Sequence, residues 1–248
     1  MLNMLNRRHF TAAAVLCGLI AGVFYGIIFQ EKPYRTASAS TAAEHLLIFD
    51  PGHGGEDGGA VAVTGAKESG INLEIALHAA ALADFLGIRY RLTRDSEELA
   101  YPGDAETTAA RKRWDTRRRV ELANEEPCAF LLSIHQNNYP DGRPKGPQVF
   151  YNKTEEGKAF AELLQKNMTL FLCPDNRRVA APAAGDIYIM AHADCPAVLA
   201  ECGFLSNERE AVLLMSKGYQ QKIALILMGT YLQFTEDCHE DQNNILLY

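Results

Sequence analysis

The chain has 248 residues, 48% hydrophobic and 22% charged, without a low-complexity tract, which suits one globular domain with a sizeable core plus a short extra segment. A formal net charge of −7 argues against a general nucleic-acid binder, which carries a basic surface. No tandem repeat or heptad run occurs, so repeat arrays and coiled coils drop out.

The extra segment comes first. Arg7 and Arg8 precede residues 11–29, TAAAVLCGLIAGVFYGIIF, which are uncharged, and QEKPYR then turns polar. A run of this length can span a bilayer as one helix. Basic residues before it place the N-terminus in the cytoplasm and the bulk of the chain outside. Residues 1–30 are therefore read as a signal peptide or a membrane anchor. Small residues at 36–43 offer cleavage sites, and Arg7-Arg8-His9-Phe10 is a weak match to a twin-arginine export signal. Cys17, in mid-span behind bulky Leu16, argues against a lipoprotein. A linker (31–44), a catalytic domain (45–234) and a polar tail (235–248) would follow.

Within the domain, LLIFD (46–50), YRLTR (90–94), AFLLSIH (129–135), PQVFYN (147–152), IYIM (187–190) and AVLAECGF (197–204) read as strands. INLEIALHAAALADFLG (71–87) reads as a helix stopped by Gly87, with Ile71, Leu73, Ile75, Leu77, Leu82, Phe85 and Leu86 on its apolar face. Residues 116–126, 157–172 and 207–234 are also helical, the last as two helices broken near Gly218. Alternating strands and helices predict an α/β fold: a single domain with a twisted mixed sheet of about six strands flanked by helices. Ligands in such sheets gather at the carboxyl ends of strands.

Four residues sit where that rule would place a site. His53 lies in a glycine-rich loop, FDPGHGGEDGGA, after the first strand; taken singly it is a turn histidine. Glu68 precedes INLEIAL, where a carboxylate also serves simply by meeting the helix dipole. His135 ends a strand too apolar to hold an imidazole without a partner. Glu201 follows PAVLA, where a charged carboxylate needs a partner or a job. Together they have a chemistry, because a catalytic Zn²⁺ takes three N, O or S ligands and keeps a fourth position for water. His53, Glu68 and His135 would hold one zinc per chain, leaving Glu201 as general base. The spacings of fifteen and sixty-seven residues are too open for a zinc finger and suit ligands drawn from separate strand ends.

DPGHGGEDGGA, KESGINLEIAL, LTR, RVELAN, FLLSIHQN, GPQVFY and PAVLAECGFLSNEREAVLL, in that order over about 45–234, resemble the zinc-dependent N-acetylmuramoyl-L-alanine amidases. NNYPDGR, DIYIM and YQQKIA are most similar to the spore-cortex, germination-specific subgroup. The resemblance implies cleavage of the amide between N-acetylmuramic acid and the L-alanine of the stem peptide. His53, Glu68 and His135 then stand at the metal-ligand positions and Glu201 at that of the catalytic base. Peptidoglycan strands with peptide stems are the implied substrate, on the wall side of the membrane, and an activator protein is a further partner that the resemblance admits. Glycines 52, 54, 55, 58 and 59 would form a thin wall for an approaching glycan strand.

A zinc carboxypeptidase or deacetylase of wall polymer uses the same ligand set, and a catalytically silent wall-binding domain is a rival of another class. The basic run RKRWDTRRRVEL (111–122) reads mainly as a solvated helix face. Within it Arg119, the arginine of R-x-x-x-A-N, is expected to be tied into the structure, as is Arg94. With Cys17 in the span, five cysteines remain, so at least one is unpaired or pairs between chains. Cys195 and Cys202 are read as buried thiols, about 20 Å apart along a strand and too distant to bridge.

Overall fold

A computed structural model describes residues 46–126 and 128–245. The expected N-terminal span, the linker and Cys17 lie outside the described residues. Among the described residues no helix is long and apolar enough to cross a membrane.

Six strands form one mixed sheet, β1 (Leu46–Pro51), β2 (Tyr90–Leu92), β3 (Ala129–Asn137), β4 (Gln148–Tyr151), β5 (Ala181–Pro182) and β6 (Ala197–Phe204), in the order β2-β1-β3-β6-β4-β5. Every neighbouring pair is parallel except β4 with β6. β1 is buried along its whole length, as its unbroken apolar run requires of a strand covered on both faces. Side-chain alternation sends Leu47, Phe49, Phe130, Leu132 and Ile134 into one core, and Leu46, Ile48, Ala129 and Leu131 into the other.

The six described helices are α1 (Glu68–Leu86), α2 (Thr108–Asn124), α3 (Glu155–Leu172), α4 (Tyr188–His192), α5 (Glu208–Leu214) and α6 (Lys217–Ile245). α1 meets the first core through Ile71, Ile75, Ala76, Ala79, Ala80 and Ala83. Its alanines let the helix axis come close to the sheet. α1 stops at Gly87, whose φ of 69° is left-handed, the conformation glycine takes at lowest cost. Phe85, expected on the apolar face, is instead 86% exposed. α2 begins eight residues before the expected 116, where the Thr107 hydroxyl accepts the Ala110 N–H at 3.1 Å. Thr154 and Asn207 cap α3 and α5 in the same way.

IYIM is not a strand. Residues 188–192 form the short helix α4, because adjacent Ile189 and Met190 are both buried in one core while Tyr188 stacks on His192 at 3.9 Å. A strand would have sent the two neighbours to opposite faces. The sixth strand is instead β5, a two-residue edge that the sequence reading missed. Pro182 is tolerated there because an edge needs no N–H from it. The last helix begins at Lys217, close to the expected break at Gly218, and continues to Ile245 through most of the expected polar tail. Cys195 and Cys202 are buried and unbridged, Cys173 is half-buried and Cys128 is exposed.

Candidate metal centre

The candidate centre is built on the carboxyl ends of β1, β3 and β6, where the chain leaves β1 at Pro51 and turns sharply. Gly52 donates its N–H to Ile134 O at 3.0 Å. A Cβ on Gly52 would overlap the His135 ring, and one on Gly59 would lie 2.6 Å from Glu68 Oε2 and 2.7 Å from the His53 ring. These glycines make room for the protein's own side chains, which corrects the expectation of a thin wall for a glycan. His53 has a φ of 62°, a left-handed conformation that costs a non-glycine residue on the order of 1 kcal/mol or more unless its surroundings enforce it.

Two buried arginines do the enforcing. Arg94 donates to the carbonyls of Pro51 (2.9 Å), Gly52 (3.1 Å) and Ser69 (2.8 Å). Arg119 donates to the carbonyls of Pro51 (2.8 Å) and His53 (2.6 Å), and to Asp50 Oδ1 (2.6 Å). Asp50 also accepts from the hydroxyls of Ser133 (2.6 Å) and Thr93 (2.7 Å). Burial opposes its ionisation, but Arg119 and the two hydroxyls outweigh that and hold its carboxyl below the usual range. Both arginines are therefore structural, as expected. In the rest of the basic run, Arg113 and Arg117 face solvent. Arg111 pairs with Glu56 and Lys112 with Asp57, so the solvated-face reading holds for only part of it.

His53, Glu68 and His135 converge. One ligand-type atom from each lies within 4.8 Å of the other two. Glu68 Oε2 is 3.2 Å from His53 Nε2, and Oε1 is 3.0 Å from His135 Nδ1. The imidazoles meet edge to face at 4.9 Å and remain 20% and 19% exposed, so the cluster opens to solvent on one side. Glu68 stands in the first turn of α1, but its carboxylate is turned into the cluster. There it accepts from the backbone N–H groups of Ala60 (2.9 Å) and Gln136 (3.0 Å) and from the Asn72 amide (3.3 Å). Burial opposes its ionisation, and its bonds to His135 and His53 prevail, placing its pKa well below the usual range. Burial likewise disfavours the charged form of His53, but hydrogen bonds to Asp57 and Glu68 outweigh it and raise the pKa to about 9.

Glu201 lies within β6, whose observed span equals the expected 197–204, and is the register partner of His135 on β3. Adjacent parallel strands carry partner side chains on one face, so Glu201 stands beside the cluster. The ladder slips just beyond this pair, between His135 and Asn137. Glu201 Oε2 is shut from solvent and has no hydrogen-bond partner. Burial pushes its pKa up to about 7, with the positive field of His135 opposing and the charge of Glu68 adding to the rise.

The structure thus brings all four expected residues together. It adds Asp57, whose Oδ2 is 3.0 Å from His53 Nδ1, and an Asn72–Gln136 pair at 3.1 Å behind Glu68. Their only signals in the sequence are proximity: Asp57 is four residues after His53, Asn72 four after Glu68 on the same helix, and Gln136 follows His135. Two imidazole nitrogens and a carboxylate, with His53 oriented by Asp57 and Glu68 by two backbone N–H groups and Asn72, match the donor set of a zinc site.

The family model of the N-acetylmuramoyl-L-alanine amidases matches residues 47–228. The germination-specific N-acetylmuramoyl-L-alanine amidase of Bacillus subtilis is 36% identical over 195 residues, covering 77% of this chain and 80% of that protein. The structure of the CwlD amidase from Clostridioides difficile, in complex with the GerS lipoprotein, aligns with a TM-score of 0.73 and 31% identity over 77% of this chain and 98% of that one. AmiC2, an N-acetylmuramoyl-L-alanine amidase of Nostoc punctiforme, aligns with a TM-score of 0.66 and 25% identity over 78% of this chain and 98% of that one.

Proposed function

The chain belongs to the N-acetylmuramoyl-L-alanine amidase family, and from that premise we propose that it is a zinc hydrolase with His53, Glu68 and His135 as metal ligands and Glu201 as general base. The observation that carries the reading is the pairing of a three-ligand cluster with a carboxylate that has a buried, unpartnered oxygen beside it. Zinc, when bound, supplies Lewis acidity, polarising the amide carbonyl and acidifying water. Glu201 takes the proton from the attacking water and hands it to the leaving nitrogen of L-alanine. A pKa of about 7 suits a group that must first accept and then give a proton near neutrality. The Glu68 bridge holds both imidazoles together before metal binds, and the arginine-held loop fixes the His53 backbone throughout.

The proposed substrate is spore-cortex peptidoglycan, and a lipoprotein partner is part of the proposal; the germination-specific relative and the CwlD–GerS complex support both. Mass spectrometry of digested wall tests the chemistry. We expect release of stem peptides headed by L-alanine, faster from cortex than from vegetative wall and faster with the lipoprotein present, without new reducing sugar ends. New reducing ends would mean a glycosidase, and trimming at the far end of the stem a carboxypeptidase.

Export is proposed from residues 1–30, which act as a signal or an anchor. A reporter fused after Tyr248 should then be active only outside the cytoplasm. Activity of that fusion in the cytoplasm alone would refute export.

A further inference from the structure

We propose that Asp57 is a positioning residue for the metal centre, acting through His53. The inference rests on the reading of His53 as a ligand. An imidazole can offer a metal only the nitrogen that carries no proton, and a hydrogen-bond acceptor on the other nitrogen decides which one that is. His53 Nε2 faces Glu68 at 3.2 Å, while Nδ1 lies 3.0 Å from Asp57 Oδ2. In the metal-free ring both nitrogens face carboxylates that only accept; a metal held together with Glu68 would take the place of the proton on Nε2, while Asp57 keeps the one on Nδ1.

Asp57 is itself fixed from two sides. Its Oδ1 accepts the Gly59 N–H at 3.2 Å, closing the turn that brings Gly59 against Glu68, and Lys112 Nζ stands 2.8 Å from Oδ2. Lys112 comes from α2, the helix that also sends Arg119 to the His53 carbonyl and Arg111 to Glu56. One face of the basic run therefore serves the ligand loop: Arg119 sets the backbone, and Lys112 holds the carboxylate that sets the ring.

Asp57→Asn separates positioning from mere support of the turn. The amide oxygen can keep the Gly59 bond, but the –NH₂ group then faces Nδ1 and offers a donor where an acceptor stood. The proton is driven to Nε2, the nitrogen a metal needs. In the full-length chain, competition for zinc against a chromophoric chelator should show affinity about 10–100-fold weaker in Asp57→Asn, with the circular dichroism of the metal-free protein unchanged. In zinc-loaded wild-type protein labelled with ¹⁵N, the proton of His53 should be on Nδ1. Wild-type zinc affinity in Asp57→Asn overturns the proposal. If that variant does not fold, an unprotonated Nδ1 in the wild-type spectrum overturns it independently. His53→Ala is the control: full zinc binding there defeats the ligand assignment itself, whereas loss there with none in Asp57→Asn defeats only the role of Asp57.

Discussion

Glu201→Gln should slow amide hydrolysis by about 10²–10⁴-fold, the usual worth of a general base, while zinc content stays at the wild-type level. Glutamine keeps the shape and the hydrogen-bonding reach of the side chain but cannot accept the proton. Three other residues supply the ligand cluster, so metal retention separates a base from a fourth ligand. Kinetics on purified peptidoglycan with elemental analysis of the same preparation checks both halves. Full activity in the variant would overturn the mechanism, and loss of zinc would make Glu201 a ligand.

The same substitution should stabilise the metal-free protein in one direction of pH. The Glu201 carboxyl ionises near 4.5 when exposed and at about 7 in the fold, so the folded state holds the proton more tightly. Ionisation above pH 7 therefore costs stability, and the cost disappears as pH falls through 7 toward 4.5. At pH 8 the glutamine variant should be more stable than wild type by on the order of 1–3 kcal/mol, and the difference should close near pH 4. Thermal melts in chelator at the two pH values read this directly. Equal melts at pH 8 would show that the buried carboxylate is not a burden.

His53→Ala and His135→Ala should each leave a folded domain with less than one zinc per chain and no measurable hydrolysis. The fold survives because the loop carbonyls are held by Arg94 and Arg119, which neither substitution touches. Glu68→Ala should lose metal as well, but it also strips the acceptor from the Ala60 and Gln136 N–H groups and from the Asn72 amide. Buried donors without partners cost about 1–3 kcal/mol each, so this variant alone should melt markedly lower. Full zinc occupancy in either histidine variant, with circular dichroism unchanged, would sink the ligand assignment.

Much of this was readable in advance because burial leaves strong marks on a chain. β1, β3 and β6 announced themselves as apolar runs, and the polar residues that interrupt or end them, Ser133, His135 and Glu201, had to be there for a reason. Reading failed where tertiary context overrides local pattern. IYIM has strand composition, yet packing of two adjacent residues into one core demands a helical turn. Phe85 was placed on the apolar face, yet the face that packs carries Ile75, Ala76, Ala79, Ala80 and Ala83, and Phe85, two residues beyond Ala83, points away from it. The basic run shows its charge but not its partners, since Glu56 and Asp57 are more than fifty positions earlier. Asp57 and Asn72 were invisible for the opposite reason: an acid in a turn and an asparagine on a helix have many ordinary uses, and only distance singles them out.

The sheet order also has a kinetic consequence. No two neighbouring strands are joined by a hairpin: β1 reaches β2 and β3 across whole helices, and β4 pairs with β6 only after β5 and α4 have intervened. Every rung of the ladder closes a long loop, the kind of pairing that folds slowly and offers no local nucleus. His135 and Glu201 become neighbours only when β6 docks against β3, which needs almost the whole domain to have been synthesised. On the proposed assignment, a growing or truncated chain ending before residue 197 holds His53, Glu68 and His135 but not Glu201. Hydrolytic competence would then arrive only at the end of folding, when β6 docks against β3.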